Sequence, residues 1–228
     1  ASAAGILQAD PAALIGTFGG IGIDSIKYDS VDPAVQLSSE QGMMHDFIEY
    51  CSRTPLAEVG LSRIPIDFVN WHHFHQAPTR AAWASVRERA QGWLRAFGYD
   101  DSVPFYPGDW HLWDGVPDYP PPTLNQDTEV AASYVTASLI AMDAAGIAWH
   151  SLDYDVDIWS APTTGTEFEG RWPLFTHGFV KKAAYNALRL VSLFDAADRL
   201  AIASADPLLA AVAGRAPDGG VMAMASNF

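Results

Sequence analysis

The sequence has little cysteine and little positive charge, and each shortage excludes a class of protein. The single cysteine, Cys51, rules out an internal disulfide framework and a cysteine-based zinc site. Lysine and arginine number 13 against 27 aspartates and glutamates, which gives a formal net charge of −14. Duplex nucleic acid and anionic membrane surfaces would repel such a chain, whereas neutral glycans would not. We therefore expect no nucleic acid and no membrane partner.

Long apolar runs and phosphate-binding glycine motifs are also missing. No stretch approaches the roughly 18–20 apolar residues that span a bilayer. The start, Ala-Ser-Ala-Ala-Gly, has neither a basic nor a hydrophobic region, so no intact signal peptide is predicted. The glycine pairs at 19–20 and 219–220 are turn signals, because no G-x-G-x-x-G or P-loop pattern follows them. We expect no cofactor.

What the sequence does have is an alternation of short apolar runs, typical of buried strands, with amphipathic stretches, typical of helices. Its 228 residues are 49% hydrophobic, which suits one large domain or somewhat more, with a sizeable core. The predicted strands cover 12–20, 66–74, 103–113 and 147–157; the predicted helices cover 43–51, 78–97, 127 or 128 to 145, and 180–194. This alternation favours βαβ units and a parallel sheet.

Residues 198–228 follow a different pattern. Apolar segments at 199–204, 208–213 and 221–225 are combined with the turn sequence Pro-Asp-Gly-Gly at 217–220. That arrangement is typical of antiparallel strands around a tight turn and not of another strand–helix unit. The sequence therefore predicts that a small β domain begins near residue 198.

The most informative segment is 103–113, V-P-F-Y-P-G-D-W-H-L-W. This apolar run predicts a buried strand that delivers Asp109, Trp110, His111 and Trp113 to its C-terminal end. In parallel α/β barrels the chemistry takes place at that end of the strands. A carboxylate among aromatic faces of sugar size suggests carbohydrate chemistry. The alternative is that Asp109 caps the strand end or pairs with a cation.

Histidines, tryptophans and aspartates near predicted strand ends supply further candidates. His72 and His73 are adjacent on a strand and point to opposite faces, so with His75 they do not predict a metal site. Asp153, Asp155 and Asp157 share one face; they either bind sugar hydroxyls or Ca²⁺ or, as we favour, are solvated loop charges. Six indoles suit stacking on sugar rings, or in part simply cover the edge of the sheet: Trp71, Trp110, Trp113, Trp149, Trp159 and Trp172.

Four segments, taken in order, resemble one known family. Residues 67–74, D-F-V-N-W-H-H-F, are similar to a sixth-strand pattern D-F-[VI]-x-x-H-x-Y, and G-D-W-H at 108–111 lies where T-E-W-N ends strand seven. Y-D-V at 154–156 is similar to Y-W-T-F-S-D-V-F of strand eight, and 175–190 resembles H-G-G-F-G-L…K-P-A-Y-Y-A-F-K-x-L. These are patterns of glycoside hydrolase family 39, the clan A group of β-xylosidases and α-L-iduronidases. The resemblance covers about residues 12–228.

The resemblance implies a fold and a reaction. Residues 1–197 would form the C-terminal part of a (β/α)₈ TIM barrel, about strands five to eight, and 198–228 would begin an accessory β-sandwich. The reaction would be hydrolysis of a β-linked glycoside with retention, and Asp109 would take the nucleophile position. The acid/base glutamate of the family's N-E-P motif would lie outside this chain, so a missing barrel segment or a partner chain would complete the barrel.

The resemblance also implies a set of substrate contacts for an oligosaccharide or glycoside. It favours His72 over His73 as the histidine that faces the barrel axis. The full set of predicted contacts is His72, Trp71, Trp110, His111, Trp113, His150 and Asp153.

Departures from the family pattern leave the activity open. Asp109 is one methylene shorter than the family's glutamate, and a displacement of about 1 Å can cost ~10²-fold in rate. Phe74 replaces a tyrosine, and His150 and Ser151 replace Tyr and Trp. An alternative is therefore a catalytically degenerate carbohydrate-binding or structural protein on a glycosidase barrel. A third is an α/β enzyme of unrelated chemistry.

Overall fold

The structure, a computed structural model, is a mixed α/β chain. It describes residues 2–17, 19, 42–75, 78–112, 124–147, 149–152, 167–168, 170, 174–204, 206 and 209–228. The helices are α1 Ser2–Ala9, α2 Met43–Arg53, α3 Arg80–Ala96, α4 Glu129–Ala144 and α5 Ala183–Val191. The strands are β1 Val69–His75, β2 Phe105–Leu112, β3 Asp198–Leu200, β4 Leu209–Arg215 and β5 Val221–Asn227. Single 3₁₀ turns cover Ala57–Val59, Leu124–Asp127 and Ser192–Phe194.

The chain divides into two compact units. Unit 1 comprises Ala1–His73, Ser85–Asp109 and Ile147–Ser151, and unit 2 comprises Phe74–Ala84, Trp110–Gly146 and Leu152–Phe228. Among the described residues, no helix combines the length and the hydropathy that crossing a membrane would require.

Neighbouring segments in unit 1 run in the same direction. Gly16 forms a parallel bridge with Phe68, immediately before β1. β1 and β2 are sheet neighbours, and the Val69 amide donates to the Pro104 carbonyl at 3.0 Å, so both strands begin at the same end. The helix α3 connects them, which is the crossover that a parallel pair needs. The Ser151 amide donates to a carbonyl of β2 at 3.0 Å, so four segments of the chain lie side by side.

The core of unit 1 lies between these segments and the helices α2 and α3. On α3 the buried side chains Val86, Ala90 and Leu94 repeat at intervals of four and so share one helix face. Trp71 and Phe105, both at most 2% exposed, meet edge to face with ring centroids 6.2 Å apart. These contacts orient the strands against the helical layer, which determines the direction in which the remaining side chains of β1 and β2 point.

Unit 2 combines two helices with an antiparallel sheet. Thr128 begins α4, and its hydroxyl accepts a hydrogen bond from the Val130 amide at 3.3 Å. The sheet has the order β3-β4-β5, and the turn between β4 and β5 contains Gly219 at φ 88°, a left-handed conformation that favours glycine. Ser133 of α4 and Ser226 of β5 join the helix to the sheet with hydroxyl groups 2.8 Å apart.

Several sequence expectations differ from these elements. The structure shows α1, which the sequence patterns did not predict. Of the strand expected at 12–20, residues 12–17 and 19 are described, and among these a single bridge forms at Gly16. Of the strand expected at 147–157, residues 147 and 149–152 are described and are irregular, and 153–157 lie outside the described residues. The antiparallel strands after 198 are present, but a second sheet that would make a sandwich is not among the described residues.

Candidate active site

The two faces of β1 differ in burial. Val69, Trp71 and His73 are 0%, 0% and 8% exposed, whereas the alternating residues Asn70 and His72 are only partly buried. This is the two-residue period of a strand. It directs the adjacent histidines to opposite faces, with His73 toward the interior and His72 toward the more open side.

β2 interrupts that period once. Phe105 and Trp110 both contact side chains of α3, although they are five positions apart. Strict alternation would put them on opposite faces. Between them, Gly108 and Asp109 both face β1, since the space beside Gly108 is filled by a β1 side chain and the Asp109 carboxylate pairs with another. One extra residue in a strand re-aims the side chains that follow, as bulges beside active sites do.

The interruption brings a carboxylate beside an imidazole. Asp109 Oδ2 lies 3.5 Å from His72 Nδ1, and the two side chains are 15% and 30% exposed. The distance is longer than a strong hydrogen bond of about 2.7–3.2 Å, but it allows an ion pair with a protonated ring. Both residues belong to unit 1 and lie toward the C-terminal ends of neighbouring strands. Such a carboxylate is held in place and can still be reached by a small molecule.

The candidate sugar-binding residues divide into three groups. Trp71 and Trp110 are 0% exposed, and Trp110 meets Trp83 edge to face with centroids 6.0 Å apart. These positions favour packing roles over contact with a sugar. Trp149 is 55% exposed, and His150 beside it is exposed as well. The remaining predicted positions lie outside the described residues: Trp113, Asp153, Asp155, Asp157, Trp159 and Trp172.

His111, predicted as a substrate contact, is fully buried in unit 2. Burial, with the nearby positive charge of Lys182, lowers the pKa of His111 to about 3. The Leu112 amide donates to His111 Nδ1 at 2.8 Å, so the proton of the neutral ring is on Nε2. The ring also lies nearly parallel to that of Tyr134, with centroids 6.3 Å apart. This geometry favours a neutral packing role for His111.

A buried ion pair in unit 2 has no signal in the sequence. Lys182 Nζ lies 2.6 Å from Asp127 Oδ1, and the two side chains are 0% and 6% exposed. Asp127 Oδ2 also accepts a hydrogen bond from the Gly170 amide. Lys181 precedes Lys182 in the chain and is exposed, and sequence patterning does not distinguish one lysine from the other.

One group of described residues has the composition of a metal site. His45, Asp46 and Glu49 of α2 present ligand atoms within 4.8 Å of one another. Glu49 is already paired with Arg53 at 2.5 Å, and His45 Nδ1 with Asp46 Oδ1 at 3.0 Å. These charges satisfy one another, and we assign no metal to them.

Known structures share this fold, although no protein-family model matches the sequence and no curated protein matches it either. A glucosidase from Croceicoccus marinus superposes with a TM-score of 0.67 and 19% identity, over 100% of this chain and 42% of that chain. A GH39 β-xylosidase from Caulobacter crescentus gives 0.58 and 19%, over 95% and 40%. A bacterial orthologue of human α-L-iduronidase gives 0.62 and 14%, over 96% and 37%.

The chain therefore has the fold of part of a glycoside hydrolase. More narrowly, it is similar to a portion of family 39 enzymes, and the resemblance stated from the sequence motifs is confirmed at the level of fold. It spans 37–42% of the length of these three proteins.

Proposed function

We propose that this chain is part of a retaining glycoside hydrolase on a (β/α)₈ barrel and that Asp109 attacks a β-linked glycoside. The observation that carries the proposal is the Asp109 carboxylate, 15% exposed and 3.5 Å from His72 across two neighbouring strand ends. Catalytic side chains of α/β barrels come from such strand ends. The fold shared with part of family 39 supports the same class of reaction.

The chemistry requires two carboxyl groups. An oxygen of Asp109 bonds to the anomeric carbon while the bond to the leaving oxygen breaks, and that oxygen takes a proton from a second carboxylic acid. Water then attacks the anomeric carbon, the ester to Asp109 breaks, and the proton of the water returns to the second carboxylate. The second group would be a glutamate outside this sequence, about 5–5.5 Å from Asp109.

His72 would orient the nucleophile. Its Nδ1 faces Asp109 Oδ2, so the imidazole limits rotation of the carboxylate. A nucleophile must be aligned with the bond it attacks, and a misplacement of about 1 Å can cost ~10²-fold in rate. The aspartate is shorter than the family's glutamate, so its alignment depends on where the backbone of β2 places it.

Trp149 and His150 would help to bind the sugar. They belong to the segment whose Ser151 amide is bonded to β2, and both side chains are exposed. An exposed indole suits stacking on the C–H face of a sugar ring. Trp113 and Asp153 stay predicted substrate contacts.

The test is Asp109→Asn in the complete natural polypeptide, assayed on a panel of aryl β-glycosides of pentoses and hexoses. We expect a fall in kcat of about 10³-fold or more, because the nucleophile is lost while the shape is kept. Asp195→Asn is the matched control, since Asp195 is exposed. Unchanged turnover in Asp109→Asn would remove Asp109 from the mechanism.

A chemical signature separates a nucleophile from a structural aspartate. In Asp109→Gly the vacated space admits azide, which bonds to the anomeric carbon as the aryl oxide leaves. We expect azide to restore turnover and to yield a glycosyl azide of inverted configuration. Sugar binding by calorimetry in a wild-type protein with no turnover on any substrate would instead support the degenerate carbohydrate-binding protein.

A further inference from the structure

Asn70 lies on the same face of β1 as His72, two residues nearer the start of the strand. Its side chain fills the space between two glycines: a Cβ built on Gly19 would come within 2.6 Å of Asn70 Oδ1, and one built on Gly108 would overlap the same atom. Real Cβ atoms do not approach so closely, so both glycines leave room for this carboxamide. Gly108 directly precedes Asp109, so the side-chain carboxamide of Asn70 is next to the proposed nucleophile.

The backbone of Asn70 is held by a side chain. The Thr17 hydroxyl accepts a hydrogen bond from the Asn70 amide at 2.7 Å and donates to the Asn70 carbonyl at 2.8 Å. Thr17 itself is 5% exposed, so this double contact is shielded from water. The carboxamide therefore projects from a fixed position, and it loses little further freedom when it binds a ligand.

The side-chain oxygen of Asn70 is buried, and none of the described residues donates a hydrogen bond to it. A buried acceptor without a partner costs about 1–3 kcal/mol, and such groups occur where a ligand or a water completes them. Oδ1 itself is enclosed, but the residue as a whole is only partly buried and belongs to the more open face of β1, beside Asp109.

We infer that Asn70 is a specificity-determining residue that accepts a hydrogen bond from one hydroxyl of the sugar bound at Asp109. The inference rests on the proposed glycosidase function. A sugar hydroxyl supplies the O–H donor that Oδ1 lacks and can accept in turn from Nδ2. The Asn70 carboxamide is neutral, so it neither repels nor neutralises the neighbouring Asp109 carboxylate. Such a group suits a sugar hydroxyl better than it suits a charged substituent of the sugar.

The test is a thermodynamic cycle that combines the Asn70→Ala substitution with the removal of single hydroxyl groups from the substrate. The substrate is the aryl β-glycoside that the wild type hydrolyses fastest, together with analogues that each lack one hydroxyl. We expect one analogue to lose about 10-fold in kcat/KM with the wild type and nothing further with Asn70→Ala, since the two changes remove the same bond. The other analogues should lose the same factor with both proteins. Additive losses for every hydroxyl would overturn the inference.

Controls separate binding from folding. Asn186→Ala, at an exposed position on α5, should keep the wild-type pattern with every analogue. Asn70→Ser, which keeps a shorter hydrogen-bonding group, should fall between wild type and Asn70→Ala if the latter has folded correctly. If Asn70→Ala does not fold, the cycle is run on Asn70→Ser, and additive losses there count against the inference.

The outcome also distinguishes this inference from the proposed function. If the wild type hydrolyses none of the glycosides, hydrolysis by Asp109 is wrong, and the same cycle is then measured by calorimetric binding of the monosaccharides. The inference would hold without catalysis if removing one particular hydroxyl lowered the affinity of the wild type but did not lower that of Asn70→Ala further. Turnover with purely additive losses would keep the function and refute the role of Asn70, and an absence of any binding would refute both.

Discussion

Acidification should destabilise the protein through His111. The pKa of its ring is lowered to about 3 by burial and by Lys182, whereas an unfolded histidine titrates near ~6.5. Between these values the unfolded chain binds a proton that the folded chain does not, so stability falls as the pH falls below ~6.5. Each pH unit is worth about 1.4 kcal/mol, so at pH ~4.5 the loss is about 3 kcal/mol.

The assay compares the free energy of unfolding in urea at pH ~7.5 and ~4.5 for the wild type and for His111→Gln. Carboxylates also titrate in this range, but they do so in both proteins, so the difference between the two pH dependences isolates the histidine. We expect the variant to lose about 3 kcal/mol less than the wild type on acidification. His177→Gln, at an exposed position, is the matched control and should retain the wild-type loss. Equal losses in wild type and His111→Gln would refute the reasoning.

Three substitutions test the packing of the two units. Lys182→Met should lower the free energy of unfolding by about 3–5 kcal/mol, because it leaves the buried Asp127 carboxylate without its cation. In urea unfolding, the double variant with Asp127→Asn should recover part of this loss. A Lys182→Met variant as stable as the wild type would contradict the pairing. Trp110→Ala, at 0% exposure, should cost about 3–5 kcal/mol, and a cost below ~1 kcal/mol in the same measurement would show that the site is not close-packed. Thr17→Val keeps the shape but removes both hydrogen bonds to the Asn70 backbone, so we expect a loss of about 2 kcal/mol, whereas a melting temperature equal to that of wild type would contradict it.

Elements with a clear period could be predicted from the sequence. The helix expected at 78–97 is α3 at 80–96, because burial on one face of it repeats at regular spacing. The strand expected at 103–113 is β2 at 105–112, because a short apolar run is typical of a buried strand. The turn at 217–220 likewise predicted the antiparallel pair β4 and β5. The helix α1 was not predicted, since its eight residues include Gly5, which weakens a helix, and no acidic residue in the first turn.

The candidate site was predictable only in part, for a physical reason. The proximity of His72 and Asp109 follows from parallel strands that end together, which local patterns predict. The interruption at Gly108 depends on which side chains of β2 pack against α3. Local sequence patterns do not show such contacts between distant segments. The same holds for Asn70, whose environment depends on two glycines that are 89 positions apart in the chain.

The pairing of Gly108 with Asp109 on one side of β2 has a consequence for how such a strand tolerates insertions and deletions. Removing Gly108 would restore regular alternation and leave the acid on the same side, but about 3.3 Å closer to the start of the strand. The same deletion would give Asn70 a neighbour with a Cβ, where the chain now has none. A change of strand length at this point would therefore alter both the position of the acid and the space that is left for the Asn70 side chain.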